Sequence, residues 1–277
     1  MSIKKISGAF RSIIWRISRK LYCWARREVS LNSEANGEHW LLAQVINRTP
    51  VPYPIFLDIG SHYGDWSDRA QELIRDAGKF GRVHAFEPSA DSYAYISGRF
   101  ESNELVVTSR LGLSNKTGKY DLFVLSKMAG VNSLFPVDGA VNVEQIDCMR
   151  LDDYLAQHQI VHIAMVKCDA EGNDLNIILG AIDLFKQGRV DVWQFEYNHR
   201  WHAANARLKD VFDFIADKPY WVGKLFANGI ETYDKWHPEL ERFFEANYVL
   251  INKECHLKTS CAHMRFNYRN VLTPVEL

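Results

Sequence analysis

The chain has no Cys-x-x-Cys pair. Its five cysteines are an odd number and are scattered at Cys23, Cys148, Cys168, Cys255 and Cys261. This spacing argues against a zinc-binding module and against a disulfide framework, and it favours a reducing compartment. We therefore expect a cytoplasmic protein.

The sequence also lacks a long hydrophobic run. A membrane-spanning helix needs about 20 consecutive apolar residues, and no stretch approaches that length. Charges interrupt every short apolar run near the N-terminus, which argues against a secretory signal. With 277 residues, of which 47% are apolar, the chain is long enough to bury the core of one large domain.

Acidic residues are missing from one end of the chain. Residues 1–27 contain eight of the 33 basic side chains and no acidic one, which leaves 25 basic and 34 acidic side chains for residues 28–277. A mildly acidic body does not suggest nucleic acid as a partner.

Apolar residues recur every three or four positions in this basic segment and predict an amphipathic helix. They are Ile3, Ile6, Phe10, Ile13, Ile14, Ile17, Leu21 and Trp24, and the cations on the opposite side are Lys4, Lys5, Arg11, Arg16, Arg19, Lys20, Arg26 and Arg27. Such a helix suits an anionic membrane surface, here the inner face of a membrane. Two alternatives stay open: the apolar face packs on protein, or the segment is an organellar transit peptide.

Strand and helix patterns alternate from residue 51 onward, which predicts a parallel sheet covered by helices on both faces. The predicted strands are 55–59, 82–87, 105–109, 163–168 and 190–197, and the predicted helices are 65–77, 91–100, 174–186 and 204–216. We expect an N-terminal helical extension over residues 1–50, one domain over 51–252 and a tail over 253–277.

A longer excursion separates the third and fourth predicted core strands. It contains two added strands, 119–125 and 143–148, on either side of a turn-rich loop, and it ends in a short helix at 151–155. The domain then closes with strands at 220–226 and 248–252 and a turn at Asn228-Gly229. Beyond residue 253 the sequence predicts no element, as in a partly disordered tail.

Polar residues close three of the predicted strands. They are Asp58 with the turn at Gly60 and Gly64, then Glu87, then the run 167–174 that contains Asp169 and Glu171. The carboxyl ends of parallel strands meet at one edge of a sheet, and ligands bind there where the strand order reverses. Glycines let the backbone approach a ligand closely, and a helix start near Asp65 offers free N–H groups.

The charges of these residues help to decide between two candidate ligands, both of them nucleotide-like. An acidic residue that ends the second strand, such as Glu87, accepts hydrogen bonds from ribose hydroxyls. A nicotinamide cofactor also needs a GxGxxG turn around its pyrophosphate, but His62 and Tyr63 are bulky and only Gly60 and Gly64 are glycines here. The carboxylate of Asp58 would repel a pyrophosphate and suits the cationic groups of S-adenosylmethionine.

Four motifs in order resemble those of the FkbM-type S-adenosylmethionine-dependent methyltransferases. They are Phe56-Leu57-Asp58-Ile59-Gly60, Ala85-Phe86-Glu87-Pro88, Leu151-Asp152-Asp153-Tyr154 and Lys167-Cys168-Asp169-Ala170-Glu171-Gly172-Asn173-Asp174. The resemblance covers residues 51–252. It differs from the usual family pattern at Ser61-His62, where Ala-Asn is common, and at Ala170, where Val is common.

The resemblance implies a class I methyltransferase Rossmann-like fold, with a seven-stranded, mostly parallel sheet and an antiparallel C-terminal hairpin. It implies methyl transfer to oxygen, often on sugars, glycolipids or related metabolites. On this basis we expect S-adenosylmethionine to contact Asp58, Gly60, Ser61, Gly64, Glu87 and Ser114. Asp169 and Glu171 are expected to act as general base or to position the acceptor hydroxyl.

His199 is a further candidate for the general base, because the ordinary pKa of an imidazole lies near neutrality. Asp169, Glu171 and Glu196 have oxygen atoms of the kind that bind divalent cations, but nothing in their spacing requires a metal, and we predict none. Two alternatives to methyl transfer stay open: a nicotinamide-dependent oxidoreductase and a non-catalytic scaffold that docks on membranes.

Overall fold

A β-sheet with helices on both faces forms the body of the protein. The computed structural model describes residues 8–28, 32–33, 35–126, 128, 130–243 and 245–276. The helices are α1 (Gly8–Ala25), α2 (Glu38–Arg48), α3 (Asp65–Asp76), α4 (Ala90–Arg99), α5 (Leu151–Gln157), α6 (Asp174–Leu179), α7 (Ile182–Lys186) and α8 (Leu208–Ile215). The strands are β1 (Ile55–Ile59), β2 (Arg82–Phe86), β3 (Val106–Ser109), β4 (Gly112–Leu113), β5 (Gly118–Val124), β6 (Asn142–Met149), β7 (Ile163–Cys168), β8 (Val190–Tyr197), β9 (Tyr220–Phe226), β10 (Gly229–Tyr233), β11 (Ala246–Asn252), β12 (Cys261–Phe266) and β13 (Leu272–Pro274).

The main sheet has the strand order β3-β2-β1-β7-β8-β11-β9-β10-β12-β13. Its first five strands run parallel to one another, and β11 is antiparallel to both of its neighbours. The five predicted parallel strands are confirmed, and β1, β7 and β8 have the predicted bounds. The strand order reverses between β1 and β7, which is where a ligand site is expected.

The predicted count of seven strands is wrong, because ten strands join the main sheet. The additional strands β10, β12 and β13 lie beyond β9 and cover an edge that would otherwise be open. The antiparallel end of the sheet is therefore larger than one hairpin. Most residues of β12 and β13 are half-buried or exposed, so they lack the buried apolar face that makes a strand recognisable in sequence.

The predicted excursion forms a separate sheet of three strands in the order β4-β6-β5. Both added strands are present, as β5 and β6, and pair in antiparallel fashion. Leu122, Val124, Ile146 and Cys148 form a small buried cluster of their own.

Helices pack on both faces of the main sheet. Residues of α5, α6, α7 and α8 belong to one buried cluster, and residues of α2, α3 and α4 belong to another. Helix α2 lies inside the segment expected as an N-terminal extension, but its side chains Leu41, Leu42 and Ile46 are fully buried. This helix is therefore part of the packed core.

The helix predicted over residues 174–186 is divided into α6 and α7. The division lies at Gly180, where an added Cβ would overlap the carbonyl oxygen of Ser114. Helix α7 begins anew because the carboxylate of Asp152 accepts hydrogen bonds from the backbone N–H groups of Asp183 and Leu184. The close approach of the segment around Ser114 is a tertiary contact that local periodicity cannot predict.

Helix α1 stands apart from this core. Its described residues 8–25 include no buried side chain, and the apolar positions Ile13, Ile17, Leu21 and Trp24 are all exposed. Ile3 and Ile6, the first two positions of the predicted stripe, lie outside the described residues. Among the described helices, none is both long enough and apolar enough to cross a membrane.

Candidate active site

The turn between β1 and α3 brings three strand ends together. The backbone N–H groups of Gly60 and Ser61 both donate to the carbonyl oxygen of Phe86, at 3.0 Å each. Gly60 has a φ of 76°, and a Cβ at this position would overlap the carbonyl oxygen of Asp169. Glycine is required here because an L-residue rarely adopts this φ and its side chain would push β7 away from β1.

Glu87 follows β2 and is held by the same turn. Its Oε2 accepts a hydrogen bond from the backbone N–H of His62 at 2.9 Å, and its Oε1 accepts one from the backbone N–H of Ser89 at 2.9 Å. Burial raises the pKa of the Glu87 carboxyl to about 7. The side chain is therefore fixed in orientation, and its charge changes close to neutral pH.

Asp58 lies beneath this turn and is fully buried. Its Oδ2 accepts a hydrogen bond from Ser67 Oγ at 2.6 Å, and its Oδ1 lies 3.9 Å from Lys167 Nζ. Burial raises the pKa of Asp58 while Lys167 acts against that rise. Lys167 also lies 3.4 Å from Asp169; burial lowers the pKa of Lys167, but Asp169 and Asp58 outweigh it and keep the lysine charged.

An inner cavity opens above these residues. It is lined by Ile59, Gly60, His62, Phe86, Glu87, Pro88, Leu111, Gly112, Leu113, Leu122, Gly130, Asn132, Leu134, Ile146, Asp169, Ala170, Glu171, Asn173 and Ile177. Leu122 and Ile146 come from β5 and β6, so the small sheet closes one side. The cavity is mainly apolar, and its lining includes the carboxyl groups of Glu87, Asp169 and Glu171.

An outer cavity of about 1100 Å³ adjoins the inner one. It is lined by Ser33, Asn36, Glu38, His39, Gly60, Ser61, His62, Tyr63, Asp65, Trp66, Gly130, Lys167, Asp169, Glu171, Glu196, Glu245 and Asn247. Gly60, His62, Gly130, Asp169 and Glu171 line both cavities. These five residues form the shared wall.

Two acidic side chains of the shared wall differ in their surroundings. The Asp169 side chain is 38% exposed and has Lys167 beside it. Glu171 has a positive φ of 52°, and its Oε2 lies 2.8 Å from Arg200 Nε. Burial raises the pKa of Glu171 to about 8, with Asp169 adding to the rise and Arg200 opposing it. Glu171 is therefore the carboxyl of the shared wall that takes up or loses a proton near neutral pH.

The outer cavity contains a third unusual carboxyl, Glu196. Burial raises its pKa to about 10, and Asp169, Asp174 and a hydrogen bond with Glu245 add to the rise. Its Oε2 accepts a hydrogen bond from Asn198 Nδ2 at 2.7 Å. In the described part of the chain, no group of three or more His, Cys, Asp or Glu side chains is placed to hold a metal ion.

The family of the chain follows from its sequence match. The model of the methyltransferase FkbM domain matches residues 58–222, which is more than half of the 277 residues. The chain belongs to the FkbM methyltransferase family. The α/β fold with its large, mostly parallel sheet agrees with this family, and S-adenosylmethionine is the cofactor.

Solved structures with a similar fold include an FkbM methyltransferase from Methylobacillus flagellatus, with 16% identity over 72% of this chain and a TM-score of 0.46. This chain covers 44% of that protein's length. An rRNA methylase from Streptococcus thermophilus has 12% identity over 78% of this chain and 93% of its own, with a TM-score of 0.41. The N-terminal domain of human METTL16 in complex with SAH has 13% identity over 81% of this chain and 73% of its own, with a TM-score of 0.42. No curated protein shows a significant match.

The inner cavity of this FkbM-family protein has a lining that suits S-adenosylmethionine. Glu87 offers a carboxylate for ribose hydroxyls, and the leucine-rich wall suits an adenine ring. Glu87 and Asp169 both line this cavity, and their negative charge disfavours the pyrophosphate of a dinucleotide. The residues present therefore fit the family's cofactor.

The predicted site residues fall into three groups. Gly60, Glu87, Asp169 and Glu171 line the inner cavity, and Ser61 lines the outer one. Asp58 and Gly64 support the turn from below: Gly64 precedes α3 with a φ of 76° and packs against Phe100. Ser114 is buried next to the cavity-lining Leu113, and its Oγ has no hydrogen-bond partner among the described residues.

His199 is not brought into the site. It lies in the 3-10 turn His199–His202, is exposed, and lines neither cavity. The neighbouring aromatic residues Trp193, Tyr197 and Trp201 are buried in the core. Two other imidazoles line the cavities: His39 lines the outer one, and His62 lines both. His62 Nε2 donates to the carbonyl oxygen of Met128 at 2.9 Å.

Most lining residues were not predicted as site residues from the sequence, and four polar ones illustrate why. Asn173 lines the inner cavity, and its Nδ2 donates to the carbonyl oxygen of Leu113 at 2.9 Å. It belongs to the motif over residues 167–174, so the sequence did offer a signal for it. Glu38, Glu245 and Asn247 line the outer cavity. They come from distant parts of the chain and carry no local motif.

Proposed function

We propose that the protein transfers a methyl group from S-adenosylmethionine to a hydroxyl oxygen of a sugar, glycolipid or related metabolite. The observation that carries this proposal is the shared wall. A donor held in the inner cavity and an acceptor held in the outer cavity would meet at Asp169 and Glu171. Holding two reactants in this way supplies much of the rate of a displacement reaction.

The donor pocket is formed by residues around the first turn. Gly60 lets the backbone approach the donor, Glu87 accepts hydrogen bonds from the ribose hydroxyls, and Ser61 and Gly64 complete the turn. Asp58 lies beneath the turn and fixes the position of the Lys167 side chain. Ser114 supports the apolar end of the cavity through its buried backbone.

S-adenosylmethionine, when bound, supplies an electrophilic methyl carbon. The residues of this chain align the acceptor and remove its proton. Asp169 is exposed enough to hold the acceptor hydroxyl, and Lys167 fixes its orientation. Glu171, with its pKa near 8, accepts the proton from that hydroxyl, since a general base works best when its pKa lies near the working pH.

We further propose that the protein is cytoplasmic and peripheral to an anionic membrane surface, with residues 1–27 as the contact. The four cations Arg11, Arg16, Arg19 and Lys20 and the exposed apolar side chains of α1 support this proposal. The alternative of a nicotinamide-dependent oxidoreductase has little support, because the carboxylates of the inner cavity oppose a pyrophosphate. A non-catalytic scaffold would not need Asp169 and Glu171 at the meeting point of two cavities.

The test is transfer of radiolabel from S-adenosylmethionine to fractions of a cell lysate. We expect label in one class of hydroxyl compound with the wild-type protein, and at least about 100-fold less with Asp169→Asn, since a misaligned acceptor loses that much rate. Asp121→Asn is the control, because Asp121 is exposed on β5. Label on nitrogen or carbon, or equal transfer by both variants, would contradict the proposal.

A further inference from the structure

Helix α1 presents an apolar stripe that no part of the described chain buries. Ile13, Ile17, Leu21 and Trp24 are 53%, 54%, 60% and 80% exposed, and they lie on one side of the helix at intervals of three and four residues. A contiguous stripe of large apolar side chains marks an interaction surface.

The charges of α1 indicate which surface it meets. Residues 8–25 contain Arg11, Arg16, Arg19 and Lys20 and no acidic residue. A second copy of this helix would offer these cations no acidic residue, because residues 8–25 contain none. An anionic lipid surface instead receives the apolar stripe between its acyl chains while its headgroups meet the cations.

The C-terminal end of α1 is fixed to the body. Arg27 Nη1 lies 2.5 Å from Glu231 Oε1 on β10, and Glu28 pairs with the buried Lys224 on β9. Arg26 Nη2 donates to the carbonyl oxygen of Glu239 at 2.9 Å. A surface that binds α1 is therefore held in a defined orientation toward the sheet.

This anchor is joined to the outer cavity by the backbone of β11. Lys224 is paired in register with Tyr248 on β11, and the preceding residue Asn247 lines the cavity from the opposite face of the sheet, since successive side chains alternate. Neighbouring strands are about 4.8 Å apart. The chain that follows α1 then contributes Ser33, Asn36 and Glu38 to the same wall. The anchor and the cavity are thus built from adjoining parts of the sheet.

We propose that α1 docks on an anionic bilayer and holds the mouth of the outer cavity at the lipid surface, so that the acceptor is a hydroxyl of a lipid-anchored molecule. The inference rests on the proposed function for the reaction itself. It narrows the acceptor to molecules that a membrane presents, and it assigns α1 the role of delivering the enzyme to them.

The docking step is tested with the full chain and two matched variants. Leu21 and Trp15 are both 60% exposed on α1, but Trp15 lies off the stripe, because successive residues turn by about 100°. We expect wild type to sediment with vesicles of equal phosphatidylglycerol and phosphatidylcholine, and not with phosphatidylcholine alone. Leu21→Glu should reduce vesicle binding by at least tenfold, and Trp15→Glu by less than threefold. Equal loss in both variants, or equal binding to both vesicles, overturns the proposal.

The orientation step is tested by fluorescence quenching from nitroxide-labelled lipids. In a background of Cys23→Ser and Cys261→Ser, which removes the two partly exposed cysteines, a fluorophore is attached at Ser33→Cys beside the outer cavity or at Glu101→Cys. Glu101 is exposed after α4, next to the opposite edge strand β3. We expect strong quenching at residue 33 and little at residue 101. Docking with equal quenching, or with more at residue 101, overturns the proposed orientation.

Three further readouts keep the two proposals distinguishable. Calorimetry with S-adenosylmethionine tests the proposed function alone. If the protein binds vesicles but not the donor, the proposed methyl transfer is rejected and the assignment of α1 as a docking surface is kept. Sedimentation velocity tests whether a second copy of the chain covers α1. If the wild type is a dimer that Leu21→Glu dissociates, and if it does not bind vesicles, the lipid proposal is overturned. Radiolabel transferred only to water-soluble acceptors, by a protein that does dock, overturns the lipid-anchored acceptor.

Discussion

The inner and outer cavities share one wall but differ in the rest of their lining. The inner cavity is mainly apolar and is built from strand ends and the small sheet. The outer cavity has carboxylates such as Glu38, Glu196 and Glu245 and is built from segments far apart in the chain. Under the proposed function, the inner lining binds the donor and the outer lining selects the acceptor.

The largest effect is expected from Lys167→Met. This change leaves Asp58 buried without its cation, and breaking a buried ion pair costs about 3–5 kcal/mol. Urea unfolding measures the loss. Asp58→Asn combined with Lys167→Met should recover much of it, because the uncompensated charge is gone. If the double variant is as unstable as the single one, the pair does not support the turn in the way we describe.

Glu171→Gln should slow the reaction more than it weakens donor binding, and this difference distinguishes the roles of the two cavities. We expect kcat to fall by about 10²–10⁴-fold, as for loss of a general base, while calorimetry gives nearly unchanged donor affinity. In the wild type, kcat should rise with pH through about 8 as Glu171 loses its proton, and the variant should lack this rise. Glu104→Gln, at an exposed position, is the control. A variant with the wild-type pH profile would exclude Glu171 as the base.

Gly60→Ala tests the turn that both cavities share. The added methyl group overlaps the Asp169 carbonyl oxygen, and such overpacking costs about 1–3 kcal/mol, so donor affinity should fall about tenfold or more. Gly98→Ala is the control, because a Cβ there meets no atom within 4 Å and alanine favours helix α4. Similar donor affinity in both variants would show that the turn tolerates a side chain.

Glu87→Gln should affect the inner cavity alone. Hydrogen bonds to a charged group contribute about 1.5–3 kcal/mol, so donor affinity should fall by roughly 10- to 100-fold, with Glu101→Gln unchanged. The folded pKa of about 7 exceeds the ordinary 4.5, so the unfolded chain ionises first and the wild type loses stability as pH rises from 4.5 to 7. The variant should lose less over this window. Unchanged donor affinity would remove Glu87 from the ribose contact.

His199→Ala should have the smallest effect. The imidazole is exposed and lines neither cavity, so kcat should change by less than about twofold, as for a surface substitution. A fall of 100-fold or more would restore His199 as the general base and would mean that the 3-10 turn moves into the outer cavity when substrates bind.

The inner cavity could be predicted from sequence because its residues close buried strands with strong patterns. Gly60, Glu87 and Asp169 each follow an apolar run whose end defines their place in a parallel sheet. Asp58 follows the same logic, but sequence does not reveal that its side chain points down to Ser67 and Lys167. The outer cavity contains Glu38 and Glu245, which line one cavity only after α2 packs on the sheet and β11 joins it.

The number of strands and the break between α6 and α7 were not predicted from the sequence, for a related reason. Strands β12 and β13 have little buried apolar surface, so they form by pairing, β12 with β10 and β13 with β12, and not because of a hydrophobic periodicity. Gly180 ends α6 because the chain at Ser114 approaches it closely. Both features depend on contacts between segments that are distant in sequence.

Calorimetric titration of the wild-type protein tests the central claim most directly. We predict that one molecule of S-adenosylmethionine binds per chain, that NADH does not compete, and that Glu87→Gln weakens the binding while Glu101→Gln does not. Absence of binding, or displacement of the donor by NADH, would contradict the assignment of the inner cavity to the methyl donor.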